Sequence, residues 1–345
     1  MHKWLSAAVW SMALVCGPAL GQQPSFHSKP AQASAEPQAI TDLAPLTVSG
    51  VQPGPGLWKV GRDGHVLWVL GTLAPLPRRM EWRSQDVEQA IARSQELLLP
   101  PMLSLDTGRG MFRTLFLLPA LFKAAKNPDG KTLQDVVPAD QYARWSVLKA
   151  RYIGSDRSIE QRRPIFAALE LYNAAMKRSS LTMDNVVRAQ VERLARRGKL
   201  TITDVTSTAR LDDPKAAIRE FQRTGLNDQT CFARTLEVID HEIDTMRDQA
   251  NAWAFGDVEA LRHSPQGSQF SACQAAVGES AIARKFGFDK LREQSMQLWL
   301  QKAEAALTRN TSTVGLLPMG LILGRDNLMD ALKARGYTVE APGEY

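Results

Sequence analysis

Histidine and cysteine are scarce in this chain, with five and three among 345 residues. No CxxC pair or Cys/His cluster occurs, which argues against a structural zinc site. His241-Glu242 opens like the helix of a zinc protease, but Thr245 stands where the second histidine is required, leaving surface charge as the reading. His65 heads an apolar run and His263 stands alone near a helix end, so each reads as structural or solvated rather than as a ligand. A Gly-x-Ser-x-Gly elbow and a glycine-rich phosphate loop are both missing, which removes the usual serine-hydrolase and nucleotide-binding readings. Beyond the N-terminus no run of about 18 apolar residues appears, so no further membrane anchor is expected. Repeats of solenoid length are also lacking. Charge is modest, at +6. Its densest points, Arg162-Arg163 and Arg196-Arg197, sit in helical patterns beside Glu160 and Glu192. Solvated helix faces explain them better than nucleic-acid binding, and no nucleic-acid partner is expected.

What is present begins with a charged stub, His2 and Lys3, then an apolar run from Leu5 to Leu20 closing on Ala19-Leu20-Gly21. This pattern predicts a secretory signal peptide over residues 1–21 and a periplasmic or secreted product. A lipoprotein anchored at Cys16 is the weaker alternative, because Val15 is bulky where a small residue is needed. Residues 22–54 are rich in Gln, Pro, Ala and Ser and cannot bury enough surface to offset their ordering entropy, which predicts a flexible linker. The domain proper is expected over 55–341. Loss of the signal leaves Cys231 and Cys273, which in an oxidising compartment most simply form one disulfide. Two buried free thiols are the alternative.

Gly61-Arg62-Asp63-Gly64 between two apolar runs predicts a hairpin, with a second strand from His65 to Leu70 covered on both faces. A helix is expected from Ser84, its N-cap, to Ser94, and a short buried strand over Glu96–Leu99 stopped by Pro100-Pro101. The apolar stretch 111–125 could be a cover over a cleft or a membrane contact, but such a stripe is more often core. Helices are then expected at about 139–152, 158–177 and 183–197, the last ended by Gly198, followed by a strand over Lys199–Val205. Asp213-Pro214 and Gly225 bracket another helix. A long polar helix should run from Gln229 to Phe255, with more helix near 281–308. A C-terminal strand, a helix over Asp326–Arg335 and a last strand at Tyr337–Glu340 complete an α/β pattern.

Two distant segments carry a resemblance. One is Gly56-Leu57-Trp58-Lys59-Val60 with Val66-Leu67-Trp68-Val69-Leu70-Gly71-Thr72-Leu73-Ala74-Pro75. The other is Asn310-Thr311-Ser312-Thr313-Val314, then Leu316-Leu317-Pro318-Met319-Gly320-Leu321, and Gly336-Tyr337-Thr338-Val339. Between them lie Gly130-Lys131-Thr132-Leu133, Arg163-Pro164-Ile165-Phe166, Ala195-Arg196-Arg197-Gly198-Lys199 and Ala252-Trp253-Ala254-Phe255-Gly256-Asp257. In this order the blocks resemble the TraB/GumN family over about 56–341. The resemblance implies an α/β fold: a central mixed sheet formed partly by both chain ends, with a large helical insertion. It implies, more remotely, an erythromycin-esterase/ChaN-like architecture.

The family's proposed chemistry uses a metal-binding cleft with a Gly-x-x-His motif at each end segment. Position by position, the first histidine becomes Ala74 and the second Leu321. Family glutamates become Pro100 and Val205, with Thr206 keeping a threonine. Methyl, pyrrolidine, isopropyl and isobutyl groups cannot bind a divalent cation or move a proton, so no catalytic residue, metal or cofactor is expected. Gly71, Thr72, Asp204 and Thr206 could line what remains of the cleft, though strand-end capping explains them equally well. The favoured expectation is an inactive relative that binds an envelope ligand or protein. The alternative is a hydrolase of changed mechanism acting on envelope peptide or polysaccharide.

Overall fold

The computed structural model of the chain describes residues 54–108, 116–223, 228–264 and 268–344. The expected signal peptide and all but the last residue of the expected linker lie outside these residues, as do 111–115 of the apolar stretch.

Among the described residues the strands are β1 (Leu57–Arg62), β2 (His65–Thr72), β3 (Leu76–Pro77), β4 (Glu96–Leu98), β5 (Met102–Asp106), β6 (Leu181–Thr182), β7 (Thr201–Thr203), β8 (Thr206–Arg210), β9 (Ser312–Pro318) and β10 (Thr338–Glu340). β1 and β2 form the expected hairpin. Asp63 and Gly64 both take left-handed φ, 55° and 83°, the tight two-residue turn that an Asp-Gly pair adopts readily. The main sheet has the order β10-β1-β2-β9-β4-β7. β1 is antiparallel to both its neighbours, whereas β2, β9, β4 and β7 run parallel. β2 pairs with β9 from Val66↔Ser312 to Thr72↔Pro318, so segments from opposite ends of the chain lie side by side at the centre. This is the mixed α/β class expected.

Leu67, Val69, Leu70, Leu97, Leu98, Val314, Leu316 and Leu317 are fully buried. Such continuous apolar strands are those of a sheet covered on both faces. The Leu291–Arg309 helix leads into β9 and lays Trp299 over Gly315, where a Cβ would sit 3.4 Å from the indole and 3.2 Å from Leu67. The helical insertion has its own core around Trp145, Leu171, Phe232 and Leu236. There Trp145 and Phe232 pack with ring centroids 5.5 Å apart.

Several expected elements differ in detail. The 158–177 helix starts only at Pro164, after a short 3₁₀ turn at Ser158–Gln161, because Arg163 is extended before the proline (ψ 149°). The long 229–255 helix is two, Gln229–His241 and Ile243–Ala254, broken at Glu242 (φ −114°). Gly198 has an ordinary φ of −76°, and it is Lys199, at φ 58°, that leaves the helix in left-handed geometry and shortens the following strand. Ser84 occupies the N-cap position but bonds Glu88 Oε1 (2.5 Å) rather than the backbone. Asp213 does cap its helix, accepting from Ala216 N at 2.9 Å. After Pro100-Pro101 the chain resumes as β5 and pairs with β8, an exposed parallel ribbon that the sequence reading lacks.

Two expectations about burial are overturned. The 116–125 part of the apolar stretch is core on one side only: Leu117 and Ala124 are buried, but Phe116 is 81% and Phe122 63% exposed, and Leu118 and Leu121 also face solvent. The Leu118–Ala124 helix is only two turns long and rests on Ile218 and Phe221 through Leu117, Ala120 and Ala124, leaving its other side uncovered. Arg163 is not on a solvated helix face. It is buried, and its guanidinium donates to the carbonyls of Lys126, Phe221 and Gln222 (3.3, 3.0 and 3.1 Å), tying three segments together. Arg196 and Arg197 are exposed as expected.

Cys231 and Cys273 are joined by a disulfide across 42 residues, linking the Gln229–His241 and Ser268–Gly278 helices. Closing a loop of that length should remove chain entropy worth about 4 kcal/mol from the unfolded state. Reduction, or the Cys231→Ala/Cys273→Ala variant, is expected to lower the denaturation midpoint by a corresponding amount, measured by urea titration with and without reductant.

Candidate functional site

In open α/β sheets ligands bind outside the carboxyl ends of the parallel strands, where connections diverge to opposite sides. Here those ends are Gly71-Thr72 of β2, Pro318-Met319 after β9, Leu98-Leu99-Pro100 after β4 and Thr203-Asp204 after β7.

The β2 end is closed by packing. A Cβ on Gly71 would lie 2.6 Å from Met319 Cε, 2.9 Å from Met319 Sδ and 3.2 Å from Ile322 Cδ1, so a side chain here would push the ends of Met319 and Ile322 off the strand. The Gly71 carbonyl accepts from Trp253 Nε1 at 2.7 Å, a fully buried bond to a residue 182 positions away. Trp82 stands edge-on to Trp253, centroids 5.5 Å apart, and backs this contact. Thr72 is buried, and its hydroxyl donates to Leu317 O (3.3 Å). The next residue but one, Ala74, is exposed.

Elsewhere at these strand ends the side chains are apolar or locally bonded. Pro100 and Val205 are buried, and Leu321 and Ile322 pack into the same core as Met319. Asp204 is exposed and bonds the Thr206 amide (3.2 Å) and hydroxyl (2.9 Å), a self-contained turn. Among the four expected cleft residues, Gly71 and Thr72 are adjacent on β2, and Asp204 and Thr206 share their turn. The two pairs are not brought together: β9 and β4 intervene, a separation of about 14 Å at ordinary strand spacing.

A hydrolytic metal needs about three protein donors and an open position. Ala74, Pro100, Val205 and Leu321 supply none. Among the described residues no three His, Cys, Asp or Glu side chains converge anywhere. The residues present therefore do not fit a divalent ion at these strand ends. His65 lies at the opposite end of β2, with Nδ1 2.7 Å from Asn310 O, and His263 is exposed beside Glu259.

The buried polar chemistry sits at the amino ends instead. Glu96, at the head of β4, is 2% exposed. It accepts from the Thr203 hydroxyl, from Arg309 (2.6 Å) and from Asn310 Nδ2 (2.6 Å). Asn310 Nδ2 also reaches Thr313 Oγ1 (3.1 Å), so one carboxylate staples β4, β7 and β9. Burial pushes this carboxyl up, but the hydrogen bonds from Thr203, Arg309 and Asn310 and the Arg309 charge outweigh it and hold it below the ordinary range. Sequence reasoning places Glu96 in a strand and misses the network, since its partners lie over 100 and over 200 positions away. A charge heading an otherwise wholly apolar strand is the signal that was available.

Comparison with known families fits this framework. The sequence model of the TraB/PrgY/gumN family matches residues 56–341, from β1 through β10. The chain belongs to the TraB/PrgY/gumN family. No match is found among curated proteins or among solved structures. Within this TraB/PrgY/gumN chain, the match begins at β1 and ends just after β10, which pair at the sheet edge, and takes in β2 and β9, which pair at its centre; residues 252–257 deliver Trp253 to Gly71.

Two outcomes follow. Trp253→Phe should leave the buried Gly71 carbonyl unpaired and cost roughly 1–3 kcal/mol in chemical denaturation. Glu96→Gln should lower stability at neutral pH by a similar amount, because it removes the charge that Arg309 and Asn310 bond. The folded-state value of Glu96 is depressed, so its contribution is fully present above the ordinary value of 4.5 and is lost as pH falls through the folded value. The gap between parent and Glu96→Gln should therefore narrow below pH 4.5, and urea titrations across that range measure it.

Proposed function

We propose that this chain is a catalytically inactive member of its family, exported to the periplasm or secreted, which binds an envelope ligand or envelope protein at the mouth of the cleft outside β2, β9 and β4. The observation that carries this reading is the packing of Met319 and Ile322 onto Gly71, in a cleft whose strand ends otherwise present Ala74, Pro100, Val205 and Leu321. A family framework over 56–341 with hydrocarbon at these positions retains a surface without a reaction centre. Gly71 and Thr72 form the rigid floor of that surface at β2, and the exposed Asp204, in its turn with the half-buried Thr206, lies beyond β4 at its far edge. Export is supported by the Leu5–Leu20 apolar run and by the Cys231–Cys273 disulfide, a bond that persists outside the reducing cytoplasm.

The alternative, a hydrolase of changed mechanism, calls for titratable groups with displaced pKa values in the cleft. The displaced groups lie elsewhere. Glu96 is at the opposite strand ends. Tyr172, pushed up to about 12 by burial and by the Glu242 charge, is in the helical core. Asp228, raised by burial against the opposing Ile165 amide and Arg163 charge, caps the Pro164–Arg178 helix through Ile165 N at 3.0 Å.

Hydrolysis assays on peptide and polysaccharide substrates, with added divalent metals and with chelator, test the reading. No chelator-sensitive turnover is expected. Turnover abolished by chelator and by Asp204→Asn or Thr72→Val would overturn it.

A further inference from the structure

The outward side of the 116–131 segment is unusual for an exported domain. Leu118, Leu121 and Phe122 fall at i, i+3 and i+4, so they form one stripe on the Leu118–Ala124 helix, and Phe116 stands just before it. All four are exposed, Phe116 and Phe122 most of all. The same segment then turns through Pro128–Gly130 and walls a concave site of about 420 Å³. Its lining includes Lys123, Lys126, Lys131 and Arg163 against one carboxylate, Asp129. Lys126 is engaged with Gln161 Oε1 (3.1 Å) and Arg163 with backbone carbonyls. Lys123 and Lys131 are both exposed, Lys131 also acting on the Asp135 carboxylate, and present their charges to solvent at this site.

We propose that this face docks on an anionic phospholipid surface, with Phe116, Leu118, Leu121 and Phe122 entering the acyl boundary and the lysine-lined site receiving a headgroup phosphate. Large apolar side chains on one side of a short helix, with lysines flanking them, are the signature of an interfacial element. The four side chains expose on the order of 400 Å² of apolar surface. That is about half of what each side of a standard protein interface contributes, too little for a stable protein partner on its own. Apolar insertion of this size is marginal alone and needs a second, electrostatic contribution, which the adjacent site supplies. The inference is independent of the cleft and of whether that cleft binds or reacts.

The test is co-sedimentation of the purified full chain with vesicles of phosphatidylcholine alone or mixed with phosphatidylglycerol, at low and high salt. Salt-sensitive binding to the mixed vesicles is expected, with little to phosphatidylcholine alone. Phe116→Ser/Phe122→Ser and Lys123→Gln/Lys131→Gln should each weaken it about tenfold or more. Both pairs are on the surface, so thermal unfolding should stay unchanged and separates lost docking from lost fold. Binding that survives both double variants, as an apolar N-terminal run would give, overturns the proposal. So does binding to phosphatidylcholine as strong as to the mixture, or an effect from only one variant. Saturable binding of glycerol phosphate without vesicle binding overturns it too, and makes the site one for a soluble phosphate.

Discussion

The structure depends on the parallel pairing of β2 with β9. These strands are about 245 residues apart in sequence, yet their ladder sits at the centre of the sheet, with β1 and β10 on one side and β4 and β7 on the other. Closing so long a loop costs entropy that grows only logarithmically with its length. A fully apolar pair of strands buried on both faces offsets that cost easily. The helical insertion, whose helices meet around Trp145 and Phe232, carries its own core and its own disulfide. Pairing of β2 with β9 must wait for both chain ends, whereas the insertion closes shorter loops, its disulfide spanning 42 residues.

This arrangement explains where polar chemistry sits. At the head of β4, Glu96 is held by Thr203 of β7 and by Arg309 and Asn310 at the end of the helix that leads into β9, and acts as a staple. At the carboxyl ends, where α/β proteins usually place their ligands, the insertion reaches back through Trp253 to bond Gly71 O, and the turn after β9 sends Met319 and Ile322 onto the same glycine. The cleft is therefore closed by hydrocarbon and by one indole hydrogen bond. A chain organised this way has its ionised network where it stabilises the sheet and its hydrocarbon where a reaction would occur.

Much of the sheet was legible from residue pattern. The Asp63-Gly64 turn, the apolar β2 run and the β4 strand before Pro100 each follow from local chemistry, and the C-terminal strand–helix–strand does too. Long-range consequences were not legible. Nothing near Gly71 in sequence announces Met319 or Trp253, and nothing near Glu96 announces Asn310. Pattern also misjudged exposure twice. Phe116 and Phe122 look like core because large apolar residues usually are, yet a two-turn helix can bury only one side. Arg163 looks like surface charge, yet a guanidinium that bonds three carbonyls is stable when buried. The second error arises because hydrogen-bond satisfaction depends on segments distant in sequence.

Met319 packed against Gly71, among strand ends without donor atoms, leads to one direct measurement: the metal content of the protein purified from an oxidising compartment without chelators or a histidine tag. The account predicts a folded, disulfide-bonded protein with no stoichiometric transition metal. One equivalent of bound metal, lost together with stability when Asp204 or Thr72 is replaced, would contradict it and reopen a metal-dependent reaction at these strand ends.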